Sequence, residues 1–343
     1  MSGAVAAETT ADAVAEVAGV CGAVLDRVDS VVVGQRGPMS LALAAVLAGG
    51  HVLLEDVPGL GKTLAARTLA AALGLDFGRL QCTPDLLPAD VTGSFVYDPG
   101  RHEFTFHPGP VFSGLLLADE INRTPPKTQS ALLEAMQERQ VTVEGRTFPL
   151  AAPFHVLATA NPVEYEGTYP LPEAQLDRFL LRLSFGYPER TAEVEVLDRR
   201  LARRREEASV EPVVDAEGLL RLQAGVERVD VDPDVVGYCV DLAAATRRHP
   251  AVEVGASPRG SLALVLVARA RAVLDGRGHV LPEDVKAVAV PALAHRLTLR
   301  PETWTSGTTG VGVVRELLDR VPGPAGARTA EGGGTSRVPA PGT

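Results

Sequence analysis

Cysteine and lysine are scarce in this chain of 343 residues, and long apolar runs are missing. The three cysteines, Cys21, Cys82 and Cys239, are far apart and odd in number. They suit neither a disulfide framework nor a zinc knuckle, which points to a reducing interior. Only Lys62, Lys127 and Lys286 are lysines among 33 basic residues, and acids prevail to give a net charge of −10. General attraction to nucleic acid or to a membrane surface has no basis in that balance. The opening stretch has no basic flank and no long apolar core, so no secretory signal is expected. The apolar segments are too short or too interrupted to span a bilayer. These absences describe a soluble cytoplasmic protein, long enough for about two domains, with 45% apolar residues to supply their cores.

What is present centres on Leu53–Thr63, LLEDVPGLGKT. An apolar strand runs into a glycine-rich turn, and Lys-Thr opens a helix. Backbone N–H groups in such a turn surround a phosphate chain, with lysine at the terminal phosphates and the threonine hydroxyl on Mg²⁺. The strict phosphate-loop pattern has glycine where this chain has Asp56, but Gly59, Gly61, Lys62 and Thr63 are in place. Gly-Lys-Thr after an apolar run also suits an ordinary turn and helix cap, so the later motifs decide.

Along the chain, apolar periodicity predicts helices over 11–27 and 39–48, then a strand at 51–55 and a helix at 62–73. Further strands are expected at 77–82, 115–119, 154–159 and 179–185, and a helix at 126–139. Residues 86–93 read as a polar turn, and 31–35 (VVVGQ) as a base-packing segment or simply a strand or turn. SFVYDPGRHEFTFHPG and QVTVEGRTFPL each place a turn signal between alternating runs, which predicts two hairpins. Strands apolar on both faces and alternating with helices imply a parallel sheet covered on both sides. Beyond Pro188 strands largely disappear. A charged helix over 190–207 is followed by helices at 216–224, 233–246, 260–274 and 282–295. The predicted organisation is a disordered 1–10, an α/β nucleotide-binding domain over 11–188, a helical domain over 189–320 and a disordered tail over 321–343.

LLLADE (115–120) places Asp119 at the end of a buried strand, where it can hold Mg²⁺ beside Thr63. Glu120 can then take a proton from an attacking water. Catalysis of this kind is mostly positioning and charge neutralisation, which accounts for adjacent acids with different tasks. LATAN (157–161) ends in Asn161, whose amide can bond the water or the terminal phosphate. No Asn-Lys-x-Asp motif supports guanine, so adenine is expected. Arg178 in LPEAQLDRF and Arg259 in GASPRG are candidate phosphate contacts, each equally readable as a surface ion pair.

The chain resembles the MoxR family of AAA+ ATPases. The resemblance is carried by VVVGQ, HVLLEDVPGLGKT, QCTPDLLPADVTG, FHPGPVFSGLLLADEINRTPPKTQSALLEAMQERQVTVEG, NPVEYEGTYPLPEAQLDRFLLR, GYP and GASPR, spanning about residues 31 to 260 in family order. Asp56 matches that family's usual EDxPGxGKT. The resemblance implies an α/β P-loop fold whose five-stranded parallel sheet has the order 5-1-4-3-2, with a C-terminal helical lid. It implies ATP and Mg²⁺ as cofactors and makes Lys62, Thr63, Asp119 and Glu120 the two Walker motifs, with Thr63 and Asp119 on the metal. Asn161 becomes sensor 1 and Arg259 a lid-borne sensor 2. Arg178 is the best candidate for a finger into a neighbouring subunit. The expected nucleotide contacts are Val33, Gly34, Pro58, Gly59, Leu60, Gly61, Lys62, Thr63, Leu64, Asp119 and Arg259.

With sheet and lid both on one nucleotide, hydrolysis is expected to change the angle between them. The implied working form is a homo-oligomeric ring, usually a hexamer, acting as a chaperone on protein clients. Proteins with von Willebrand factor A domains are partners of the kind the resemblance suggests. A magnesium-chelatase-type motor subunit and a nucleotide-gated assembly protein with little turnover are the rival readings. A helicase-like role is a weaker third.

Overall fold

Alternating burial along the strands dictates the layers. In β1 (Val52–Glu55), Val52 and Leu54 point into one core, and Leu53 points into a second on the opposite face. The computed structural model describes residues 2–162, 167–204 and 210–324. Helices α1 (Ser2–Asp29) and α2 (Arg36–Leu47) precede β1, and α3 (Lys62–Ala72) follows the glycine turn. Next come β2 (Phe77–Gln81), α4 (Pro88–Thr92), the hairpin β3 (Gly93–Asp98) with β4 (Glu103–Pro108), β5 (Leu115–Asp119) and α5 (Pro126–Glu138). A second hairpin pairs β6 (Gln140–Val143) with β7 (Arg146–Pro149), before β8 (His155–Ala160), α6 (Glu173–Leu176) and β9 (Leu181–Leu183). Helices α7 (Arg190–Arg203), α8 (Ala216–Val226) and α9 (Pro233–Arg248) then lead to β10 (Val252–Val254), α10 (Pro258–Leu274), α11 (Pro282–Leu293), β11 (Thr298–Leu299) and α12 (Gly310–Arg320).

The central sheet has the order β2-β5-β8-β1-β9 with every pair parallel, which is the expected 5-1-4-3-2 arrangement. Strand β8 is buried along its whole length, as a central strand covered on both faces must be. Both hairpins form where the turn residues predict them. Glu144 and Gly145 adopt positive φ (48° and 76°), the backbone a two-residue antiparallel turn requires. Stacked Phe106 and Phe148, 4.1 Å between ring centroids, lock the two hairpins to each other.

Helices α8, α10 and α11 do not form a separate core. Leu219, Leu222, Leu264, Val267 and Val288 join Val24, Leu43, Leu47 and Leu69 of α1–α3 in one continuous apolar cluster. Each fully buried leucine there contributes roughly 2 kcal/mol of transfer free energy. The helical region is therefore anchored on the first three helices and on edge strand β9.

Several expectations change. Residues 86–93 contain the short helix α4 rather than an open turn, started by Pro88 and by Asp90 accepting from the Leu87 N–H at 2.8 Å. Helix α12 and the small β10–β11 pair were not expected, because Gly310-Val-Gly reads as loop. Helix α1 begins at Ser2, ahead of the expected start at 11. Of the expected disordered tail, 325–343 lies outside the described residues.

Candidate active site

In a parallel sheet, all strand C-termini share one edge, and turns between neighbouring strands converge there. Strands β5, β8 and β1 are consecutive neighbours, so Asp119, Asn161 and the glycine turn meet. They line a cavity of about 420 Å³ with Pro58, Gly59, Gly61, Lys62, Thr63, Leu64, Glu120 and Thr159. Gly59 and Gly61 adopt positive φ (86° and 78°), which directs successive backbone N–H groups into this space. The Lys62 ammonium donates to the Asp56 carbonyl at 2.7 Å. Burial pulls its pKa below the ordinary lysine value, against the opposite pull of Asp56, Asp119 and Glu120.

Asp56 explains its own departure from the glycine pattern. Its carboxylate accepts from Ser184 Oγ (3.0 Å) and from the backbone N–H groups of Phe185 (2.6 Å) and Gly186 (2.9 Å). The residue ties the start of the loop to the chain leaving β9 and takes no part in lining the phosphate cavity.

The Thr63 hydroxyl donates to Asp119 Oδ2 at 3.3 Å. These two hard oxygen donors fit Mg²⁺, which is held by few protein ligands and keeps several waters. Thr159 organises the acid pair: its hydroxyl donates to Asp119 Oδ1 (2.7 Å) and accepts from the Glu120 N–H (2.8 Å). Glu120 has a left-handed backbone (φ 60°, ψ 51°), an uncommon strain for a non-glycine residue that aims its carboxylate away from the strand line. Gln81 (3.4 Å) and Arg123 (3.2 Å) hold that carboxylate, and Arg79 donates to Asp119 Oδ2 at 2.9 Å. Arg79 and Thr63 thus share one carboxylate oxygen of Asp119.

Sequence reading missed Thr159, Arg79, Gln81 and Arg123. Period-2 alternation on β2 puts Arg79 and Gln81 on one face, and Gln81 is in register with Asp119. The strand order was needed to make that useful.

A second cavity of about 420 Å³ adjoins the first and shares Pro58, Gly59, Gly61 and Leu64 with it. Val31, Val32, Val33, Leu60 and Tyr187 give it apolar walls, and Val196 and Leu197 of α7 close it. An adenine ring fits such surroundings. Gly34 is not part of the wall. Its φ of 73° and the 2.9 Å from a built Cβ to Ala192 Cβ show that it lets α7 approach.

The expected meeting of sheet and lid on one chain's nucleotide does not occur. Arg259 begins α10 and lines a different cavity, of about 300 Å³, with Arg178, Arg139, Arg296, Asp177 and the Gly49–His51 segment. That segment precedes β1, whereas the phosphate loop follows it. The four residues of β1 span roughly 13 Å, so the two cavities lie at opposite edges of the sheet. The reason is the docking of α10 and α11 against α1, α2 and β9, which sets the start of α10 beside Asp177. Beyond β9, Arg259 was the expected nucleotide contact; the residues that line the cavity beside the phosphate loop are instead Tyr187, Pro188, Glu193, Val196 and Leu197. The Arg178 side chain donates to Gln137 Oε1 at 3.1 Å; that of Arg259 has no hydrogen-bond or ion-pair partner among the described residues. A further cavity of about 590 Å³ beside Leu41, Arg271 and Val290 contains none of these residues.

A parallel sheet in this order, with a phosphate loop, an acid pair at the end of a buried strand and a helical lid, defines a P-loop ATPase of the AAA+ class. Family models agree: residues 51–181 match the ATPase family associated with various cellular activities (AAA), and residues 244–317 match the AAA lid domain. The uncharacterised protein YeaC of Bacillus subtilis is 51% identical over 300 residues, covering 88% of this chain and 93% of its own. Chaperone MoxR1 of Mycobacterium tuberculosis is 43% identical over 303 residues, covering 86% and 80%. The crystal structure of a candidate ATPase from Cytophaga hutchinsonii superposes with a TM-score of 0.85 at 41% identity, covering 92% of this chain and 98% of that one. The chain belongs to the MoxR family of AAA+ ATPases. It is an ATP hydrolase by that membership. Among the described residues, no helix is long and apolar enough to cross a membrane.

Proposed function

We propose that this ATPase remodels protein partners in a chaperone-like way, as a ring whose nucleotide sites are completed between subunits. The carrying observation is the separation of two half-sites. Phosphate loop and acids fill one cavity, while Arg178 and Arg259 share another at the opposite edge of the same sheet. Opposite, complementary surfaces on one chain favour head-to-tail contacts, which close into rings; the family resemblance supplies six as the number. The likeness to Chaperone MoxR1 supports the choice of protein clients.

In this reading Lys62 and the loop N–H groups hold the phosphates, and Asn161 orients the attacking water. Glu120 accepts that water's proton. Thr63 and Asp119 would hold Mg²⁺, which would supply charge neutralisation when bound. The neighbour's Arg178 and Arg259 stabilise the charge that develops on the transferred group.

The test is ATP turnover per subunit across a protein concentration series, with mass measured in parallel. Turnover is expected to rise as large assemblies form. Arg178→Ala and Lys62→Ala subunits, each inactive, are expected to regain activity when mixed, since each retains what the other lacks. Constant turnover by a monomer, or no recovery in verified mixed rings, would overturn the reading.

A further inference from the structure

Among the described residues, Asp177 is the only acid that lines the arginine cavity. Four arginines, Arg139, Arg178, Arg259 and Arg296, line the space with that single carboxylate. The Arg296 side chain is 3% exposed, and it forms an ion pair with Oδ1 of Asp177, whose own side chain is 19% exposed. Every nitrogen of its guanidinium is used: Nε donates to the Ala292 carbonyl (2.7 Å), Nη1 to the Asp177 carbonyl (3.0 Å) and Nη2 to the Phe179 carbonyl (2.8 Å). His295 bonds the same Phe179 carbonyl at 3.1 Å. The pair of residues after α11 therefore grips the backbone on both sides of Arg178.

The other carboxylate oxygen of Asp177 faces the lid. It accepts from Ser257 Oγ at 2.9 Å, and Ser257 Oγ in turn accepts from the Arg259 N–H at 3.1 Å, capping α10. Gly260 permits the close fit: a Cβ there would stand 3.0 Å from Ala256 Cβ and 3.1 Å from Leu293 Cδ2. One carboxylate thus bonds the lid twice, through Ser257 at the start of α10 and through Arg296 after α11, and its own residue precedes Arg178.

We propose that Asp177, Arg296 and Ser257 form a clasp that fixes Arg178 and Arg259 relative to each other, so that both are presented as one rigid unit to the nucleotide of the adjacent subunit. The inference rests on the reading that these two arginines act across the subunit boundary. Asp177 and Arg296 are positioning residues and touch no substrate. A buried ion pair adds little net stability compared with apolar packing, so its value lies in the arrangement it specifies. Two guanidinium groups aimed at one triphosphate need that arrangement, because an error of about 1 Å costs up to 10²-fold in rate. Removing the acid leaves four like charges in one cavity without a counter-charge.

The experiment measures turnover and nucleotide affinity for Asp177→Asn, alone and mixed with Lys62→Ala. Lys62→Ala subunits carry an intact clasp and both arginines. Asp177→Asn alone is expected to lose about tenfold or more in turnover while binding a fluorescent ATP analogue within about twofold of the parent. Mixed with Lys62→Ala it should recover activity, because its own phosphate loop is unharmed. Ser257→Ala, a milder change, should lose about threefold, and Ser257→Thr should restore the parent rate. Parent-like turnover of Asp177→Asn would overturn the clasp. So would failure of Asp177→Asn to be rescued while Arg178→Ala is rescued, since that places its effect outside the arginines. If neither is rescued in verified mixed rings, the cross-boundary reading falls and takes the clasp with it.

Discussion

The two edges of the central sheet carry opposite chemistry. At the C-terminal edge the arginines are engaged: Arg79 is bound to Asp119 and Arg123 to Glu120, leaving Lys62 to face the phosphate cavity. At the N-terminal edge the ratio is reversed, with four arginines to one acid, and Arg178 and Arg259 have no acidic partner among the described residues. One edge is short of cations for a transferring phosphate, and the other has cations with nothing to neutralise. Each edge is incomplete in the way the other could remedy. Because both lie on one sheet, a head-to-tail neighbour in the proposed ring would supply the missing half.

The sharpest way to break this comparison is to remove the uncompensated cations. Arginine fingers are worth about 10³-fold or more in phosphoryl transfer. Arg178→Ala and Arg259→Ala are each expected to lower turnover on that scale with nucleotide affinity kept, as read by steady-state kinetics and analogue titration. Loss of affinity instead would put the arginine on its own chain's nucleotide. At the other edge, Glu120→Gln is expected to lower turnover by about 10²-fold and to trap the ATP-bound assembly, measured by mass and by retained nucleotide. Parent-like turnover would remove Glu120 from the role of base.

Sequence alone made the C-terminal edge legible, and at the other it named Arg178 and Arg259 without bringing them together, for a physical reason. The phosphate loop is a local device: Gly59, Gly61, Lys62 and Thr63 act through the backbone and lie within five residues. Asp119 and Asn161 were readable because a strand's burial ends where its polar residue begins. Both hairpins announced themselves through turn chemistry. Thr159, Arg79 and Gln81 take their meaning from strands adjacent in space and distant in sequence. Arg259 was placed beside the wrong cavity because the position of α10 follows from apolar contacts with α1 and α2, which no motif records. Asp177 and Arg296 come together across more than a hundred residues. Their pairing follows from that same docking.

Acid offers a gentler way to separate the two edges. Among the described residues no histidine lines the phosphate cavity, whereas His51, His155 and His295 are buried at or near the arginine edge. Burial holds the His51 pKa down at about 3, aided by His155 and Arg139. Burial likewise lowers His155 to about 4, and lowers His295 to about 3 with help from Arg296. Each is neutral in the fold and titrates near 6.5 when unfolded. Their contribution is thus fully present above about pH 6.5 and declines as pH falls toward 4, where the unfolded chain takes protons that the folded chain refuses. At pH 5 each buried histidine removes on the order of 2 kcal/mol of stability, a smaller term than either catalytic loss. Urea unfolding at pH 7.5 and pH 5.0 measures the sum. His155 bridges the Gly50 carbonyl (3.0 Å) and Gln223 (3.1 Å), so His155→Gln keeps a hydrogen-bonding end and removes the titration. That variant is expected to flatten the pH dependence by about one histidine's share. An unchanged slope would mean that His155 does not resist protonation in the fold, and that the arginine edge is open to water in a way its burial contradicts.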